Sequence, residues 1–189
     1  MDLVPAAGSR RRVIRVILRY TRHLPGETQT NTAGSVEEAM EINGIAHVML
    51  TAGDFQRSRE FYRQLLPFLG LRPVMDGPGF YYCVGGRTAF GIRECAPEHR
   101  GERFVQQRVG LHHVCFRARE RDEVDQLHGK LLELGATVVH APQDDAWAPG
   151  YYSVLFEDPD GVRLELNHVP GQGLLKDAAP ALATADALP

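Results

Sequence analysis

Hydrophobic and polar residues alternate in two short runs that read as one pattern written twice. GIAHVML (residues 44–50) and GLHHVCF (residues 110–116) each place a glycine ahead of apolar residues at every second position. A period of two belongs to a β-strand, whose side chains point to alternate faces. In the first run Ala46, Val48 and Leu50 share an apolar face, while His47, Met49 and Thr51 share the other. In the second, His112, Val114 and Phe116 take the first face and His113, Cys115 and Arg117 the second. The period then lengthens. In DFQRSREFYRQLLPFLG (54–70) the apolar positions Phe55, Tyr62, Leu65, Leu66 and Leu69 follow helical spacing. In ERDEVDQLHGKLLELG (120–135) Val124, Leu127, Leu131 and Leu134 do the same, which predicts a helix after each strand. Both predicted helices end on Leu-Gly, and glycine suits a left-handed C-terminal cap.

Three further strand-like runs follow each helix: LRPVM, GFYYCV and RTAFGI in the first half, ATVVH, GYYSVLF and VRLELN in the second. Gly, Pro and Asp clusters separate them, among them DPDG at 158–161. Each half therefore reads strand, helix, three strands. The expected fold is α+β, with two paired βαβββ modules forming a cup-shaped mixed sheet around a shared concave space. Module one runs over about 43–95 and module two over about 108–170, within a folded unit of 40–171.

The repeat and the alternation together select side chains for chemistry. His113 is the counterpart of His47. His112 is the extra histidine, placed at the start of a core-facing strand and expected to be structural. In VRLELN, Leu164 and Leu166 form the apolar face, so Arg163, Glu165 and Asn167 point the other way. A carboxylate between two leucines is costly to bury without a partner, which a metal ion or Arg163 could supply. Two imidazoles and one carboxylate aimed into one cavity would form a facial metal-ligand set with positions left open. Tyr81, Tyr151, Tyr152 and Trp147 could wall a cavity for a planar ligand, or simply pack in sheet and core. Cys115 faces the proposed cavity with no activating base in view and reads as a packing residue.

Composition narrows the partners. Of 189 residues, 43% are hydrophobic and 24% charged, ordinary values for a globular protein. The net charge of −3 gives no reason to expect nucleic acid or a membrane surface as partner. Three cysteines without a CxxC pair fit a reducing, cytoplasmic setting. No apolar run approaches the roughly 20 residues that cross a bilayer. Residues 1–39 carry six arginines between Arg10 and Arg22 and read as a basic, poorly ordered extension. Residues 172–189 read as an Ala- and Pro-rich tail.

GIAHVML, the helix ending FYRQLLPFLG, GLHHVCF, and GYYSVLFEDPDGVRLELNHVP together resemble the vicinal oxygen chelate superfamily, which includes glyoxalases, extradiol dioxygenases and bleomycin-resistance proteins. The resemblance covers about residues 43–170. It implies that His47, His113 and Glu165 occupy metal-ligand positions for one divalent ion, with Fe(II) favoured and Mn(II), Zn(II) or Ni(II) as alternatives. It implies an enzyme acting on a small molecule that chelates the metal through neighbouring oxygens, dioxygenase-like ahead of lyase or transferase. The alternative it carries is a non-catalytic protein that binds an antibiotic or other small molecule. A homodimer is expected, with the site built either within one chain or from His47 of one chain and His113 and Glu165 of the other. His99 and His168 are acid–base candidates only by closeness in sequence. One departure is visible. Relatives with four protein ligands carry Glu or Gln on the last strand of module one, and here that position falls on Phe90 or Gly91, neither of which coordinates a metal.

Overall fold

The computed structural model describes residues 42–171. The basic extension, and the tail from residue 172, lie outside the described residues. The period-two and helical-period runs fold as their spacing predicts. Module one comprises β1 (His47–Ala52), α1 (Phe55–Phe68), β2 (Arg72–Gly77), β3 (Phe80–Gly85) and β4 (Thr88–Glu94). Module two comprises β5 (Val114–Arg117), α2 (Asp122–Glu133), β6 (Thr137–Asp145), β7 (Tyr151–Glu157) and β8 (Arg163–His168). Asp54 caps α1, its Oδ1 accepting from the Arg57 backbone N–H at 3.1 Å. Gly70 follows that helix at φ +80°, the left-handed conformation that Leu-Gly predicted. No described helix is long and apolar enough to cross a membrane.

Each module forms a four-stranded mixed sheet, in the order β1-β4-β3-β2 and β5-β8-β7-β6. The first strand of each runs parallel to the last, and the remaining pairs are antiparallel. The histidine-bearing ends of the repeat therefore sit at a sheet edge in both modules. Two details depart from the sequence reading. β5 starts at Val114, so His112 and His113 precede the strand. β6 continues to Asp145, beyond the predicted run, with register irregularities between Val138 and Gln143.

Helices and sheets meet in one shared core. Tyr62, Leu65 and Leu66 of α1 and Val124, Leu127 and Leu131 of α2 are fully buried. They belong to the same cluster as Phe90, Ile92, Phe156 and Leu164. The rings of Phe90 and Phe116 meet across the modules with centroids 5.4 Å apart. Each side chain of the leucine or phenylalanine class withdrawn from water in this way contributes roughly 1.5–3 kcal/mol.

A buried polar joint fastens the modules. The DPDG turn ahead of β8 reaches across to α1. Asp158 Oδ2 accepts the Tyr62 hydroxyl at 2.7 Å, while its Oδ1 accepts the backbone N–H groups of Asp160 and Val162. Asp160 Oδ2 accepts the Ser58 hydroxyl at 2.9 Å and the Gly53 N–H at 3.1 Å. Desolvation by burial raises the Asp158 carboxyl to about 6, against the lowering pull of its Tyr62 hydrogen bond. The turn predicted from DPDG is present, and its two carboxylates also serve the module interface.

Candidate metal centre

Alternation along the strands decides which side chains leave the core. In module two, β5 and β8 are in register with Cys115 opposite Glu165 and Arg117 opposite Asn167. Leu155 of β7 also stands opposite Glu165. These residues occupy the sheet face opposite Leu164, Leu166 and Phe156, which are in the core. Glu165 is only 9% exposed, yet it lies on this open face. Its partners explain how that burial is sustained. The His113 Nε2 lies 3.3 Å from Glu165 Oε2, and the Tyr151 hydroxyl donates to Glu165 Oε1 at 2.5 Å. Arg163, the alternative partner suggested by the sequence, instead faces Glu157 at 3.7 Å.

His113 is held from its other side. Its Nδ1 lies 2.7 Å from the Nδ1 of His112, whose Nε2 lies 2.8 Å from the Gln106 amide nitrogen. A contact between two ring nitrogens needs one to carry a proton and the other to accept it. His112 is exposed, not packed under a helix as its place in the alternation suggested. It sits ahead of the strand, where the alternation no longer applies. Its contact leaves the His113 Nε2 directed at Glu165, the arrangement in which outer-shell groups orient a ligand ring.

Module one presents a different surface. Met49 stands opposite Gly91, and Gly91 opposite Tyr82. Met49 and Cys115 each follow their module's histidine by two residues, so Gly91 is the counterpart of Glu165. The register thereby chooses between Phe90 and Gly91: Phe90 is 1% exposed, in the core. A Cβ at Gly91 would lie 2.6 Å from the Tyr82 ring, 2.8 Å from the Tyr81 carbonyl oxygen and 2.9 Å from the Met49 sulfur. The fourth-ligand position is thus filled by neighbours. The Tyr82 ring packs edge-on to His47 at 6.4 Å and stacks on Phe80 at 6.0 Å.

The structure therefore brings His113 and Glu165 together and leaves His47 on the other sheet. Among the described residues, no group of three His, Cys, Asp or Glu side chains gathers to hold a metal within one chain. The single-chain version of the three-ligand set is not formed. The imidazole and carboxylate that do converge are both suitable donors for a divalent ion.

The other candidates are sorted by the same geometry. Tyr81 is buried on the core face of β3, and Tyr82 takes the place beside His47 that the sequence reading did not assign. Tyr152 donates to Asp125 of α2 at 2.7 Å, under the Arg121 guanidinium. Trp147 is exposed in the turn before β7. Of the four aromatic residues named from sequence, Tyr151 is the one that touches the His113–Glu165 pair. His99 pairs with Glu102 in the link between modules. His168 falls on the face of β8 opposite Glu165, so it is not an acid–base partner there. Desolvation and the neighbouring Glu165 carboxylate push the Cys115 thiol up to about 12, so it remains protonated and un-nucleophilic near neutral pH. The polar contacts of Tyr151 and His112 were invisible to sequence reasoning because each depends on a residue distant along the chain or beyond the strand.

Residues 44–166 match the model of the Glyoxalase/Bleomycin resistance protein/Dioxygenase superfamily. The uncharacterized protein YqjT of Bacillus subtilis (strain 168) is 29% identical over 121 residues, 64% of this chain and 94% of its own. A solved structure from Bacillus halodurans, provisionally named a glyoxalase, is 26% identical. It covers 67% of this chain and 96% of its own, with a TM-score of 0.61. A lactoylglutathione lyase from Agrobacterium tumefaciens is also 26% identical, over 68% of this chain and 96% of its own, with a TM-score of 0.50. With its paired βαβββ modules, its repeated histidine and its strand-borne glutamate, the chain belongs to the Glyoxalase/Bleomycin resistance protein/Dioxygenase superfamily.

Proposed function

We propose that the protein is a divalent-metal-dependent enzyme acting on a small molecule that chelates the ion through neighbouring oxygens, with dioxygenase-like chemistry ahead of lyase or transferase chemistry. The observation that carries this reading is the convergence of His113 Nε2 and Glu165 Oε2 at 3.3 Å on an open sheet face. His47 holds the equivalent position on the other module. Among the described residues, each of the strands concerned, β1 and β5, has a neighbour on one side only. A homodimer that sets β1 of one copy beside β5 of the other brings the third donor in by symmetry, as an isologous interface requires.

When bound, a divalent ion would act as a Lewis acid and orient the reacting atoms. The chain's own residues do the rest. His113 and Glu165 would be ligands, with His112 holding the imidazole. Gly91 contributes no fourth protein donor, so a three-donor set would keep coordination positions for a chelating substrate. That vacancy in the ligand set is what disfavours a glyoxalase-type mechanism in which a fourth carboxylate or amide serves as ligand and base. Fe(II) is the favoured ion, with Mn(II), Zn(II) or Ni(II) as alternatives, since imidazole and carboxylate donors accept them all.

The isolation of His47 favours a second reading, a small-molecule-binding protein of the bleomycin-resistance kind that uses the cavity without catalysis. Metal content separates the two. Purified without chelator, the enzyme retains about one ion per chain. His47→Ala and Glu165→Ala each lose it, and subunit exchange between the two variants restores about a quarter of the wild-type content, because half the dimers are mixed and each has one intact site. Wild-type protein that stays metal-free with all four ions removes the enzyme reading. Variants that never complement each other remove the shared site.

A further inference from the structure

We infer that Tyr151 is a positioning residue for Glu165, holding one carboxylate oxygen so that the other alone faces His113 as a one-point metal donor. This inference rests on the metal-dependent reading above. The two oxygens of Glu165 have different partners: Oε1 accepts the Tyr151 hydroxyl at 2.5 Å, and Oε2 faces His113 Nε2 at 3.3 Å. A distance of 2.5 Å is at the short end for a hydroxyl donating to a carboxylate, the range of charge-assisted bonds. A free glutamate side chain loses rotamer entropy when fixed, and Tyr151 supplies that fixing before any ion arrives.

Tyr151 is itself well anchored. It opens β7 immediately after Gly150, whose φ of +72° turns the chain into the strand. Gly150 lies so close to the end of β8 that a Cβ there would sit 2.7 Å from Pro170 Cγ. The Tyr151 N–H donates to the Ala148 carbonyl at 3.0 Å, closing the turn. The backbone behind Tyr151 is thus clamped by the residues that follow β8, the strand bearing Glu165. Arg163, the partner for that carboxylate suggested by the sequence, faces Glu157 instead. Module one has nothing comparable, because Gly91 stands where Glu165 would.

The consequence concerns how many positions at the ion stay open. A carboxylate bound through both oxygens occupies one more position than a carboxylate bound through one. With Oε1 retained by Tyr151, the site keeps that position for substrate or a second small ligand, the condition that an oxygenase-like site needs.

The test uses full-length protein freed of metal and titrated with Co(II) against a competing chelator. Tyr151→Phe is expected to weaken Co(II) binding about tenfold, the order found when an outer-shell partner is removed. It should also lower the visible Co(II) absorption as the freed carboxylate turns to two-point attachment, while the far-UV circular dichroism of the metal-free variant matches the wild type and shows the fold retained, with a lowered thermal midpoint from the lost hydrogen bond. Wild-type affinity and an unchanged spectrum in the variant would overturn the inference and leave the metal reading standing. Failure of the wild type to bind Co(II) would overturn both. A second measurement needs no variant at Tyr151. In Zn(II)-loaded wild type, a strongly downfield Tyr151 hydroxyl proton, assigned by its loss in Glu165→Ala, should persist from the metal-free form. Its disappearance on loading would show that the ion displaces the tyrosine and would overturn the inference.

Discussion

The two modules are built from the same repeat and present opposite chemistry on their open faces. Module one shows His47 among Met49, Phe80 and Tyr82, with Gly91 at the counterpart of Glu165. Module two shows His113, Glu165, Tyr151 and Cys115, each in contact with another polar group. The difference comes down to single positions at matching register. A glycine lets a tyrosine ring and a thioether close over the strand, whereas a glutamate at the same place needs a hydroxyl and an imidazole around it. The common scaffold supplies the placement of the side chains, and the local residue decides whether that place becomes a polar cluster or an apolar wall.

The sharpest way to break the contrast is to remove the carboxylate. Glu165→Ala should reduce retained metal to background by elemental analysis, making the second module as ligand-poor as the first. If it keeps wild-type metal content, the modules do not differ in the way described.

A second experiment asks whether modules so unlike on one face are joined firmly on the other. Asp158 is raised to about 6 in the folded chain from an ordinary value of 3.8, chiefly by burial. The folded protein therefore holds this proton more tightly than the unfolded chain. The stabilising contribution is full below about pH 4 and is lost as the pH rises through about 6, on the order of 3 kcal/mol for this group. Asp158→Asn removes the titration and should flatten that part of the stability profile, measured as urea midpoints from pH 4 to 7. A variant whose profile keeps the wild-type slope would place the pH dependence elsewhere.

The third targets the wall. Gly91→Ala inserts a methyl group 2.8 Å from the Tyr81 carbonyl oxygen and 2.6 Å from the Tyr82 ring, so something must shift. Overpacking of this kind costs about 1–3 kcal/mol, read as a lowered thermal midpoint. The same substitution at Gly129 of α2, where a Cβ meets nothing within 4 Å, should be neutral or stabilising. Equal effects at the two sites would argue against a closed wall at Gly91.

The smallest effect separates the two histidines. His113 has His112 against its Nδ1, while Ala46 stands at the matching place beside His47. His112→Ala should lower metal affinity only severalfold without emptying the site, since the ring loses an orienting neighbour and keeps its donor. A chelator-competition titration reads this. Complete loss of metal would make His112 a ligand in its own right and reverse the roles of the two histidines.

Much of this was legible along the chain. The two periods, 2 for strands and 3.6 for helices, placed eight strands and two helices, because burying one face of each element fixes the spacing of its apolar residues. The alternation put His47 and Glu165 on faces turned from the core and carried His113 along only through its match to His47 in the repeat. It misplaced His112, which lies just outside β5, where no pleat constrains its direction. It offered Tyr81 for the cavity wall where Tyr82 faces the open side, since neighbouring tyrosines are told apart only by the register. The tertiary structure alone decided that Tyr151 meets Glu165, that Tyr62 meets Asp158, and that His47 stands away from the other two donors in one chain. These outcomes depend on contacts between residues 14 and 96 positions apart and on how two modules pack, and no local pattern of apolar and polar residues encodes such distances.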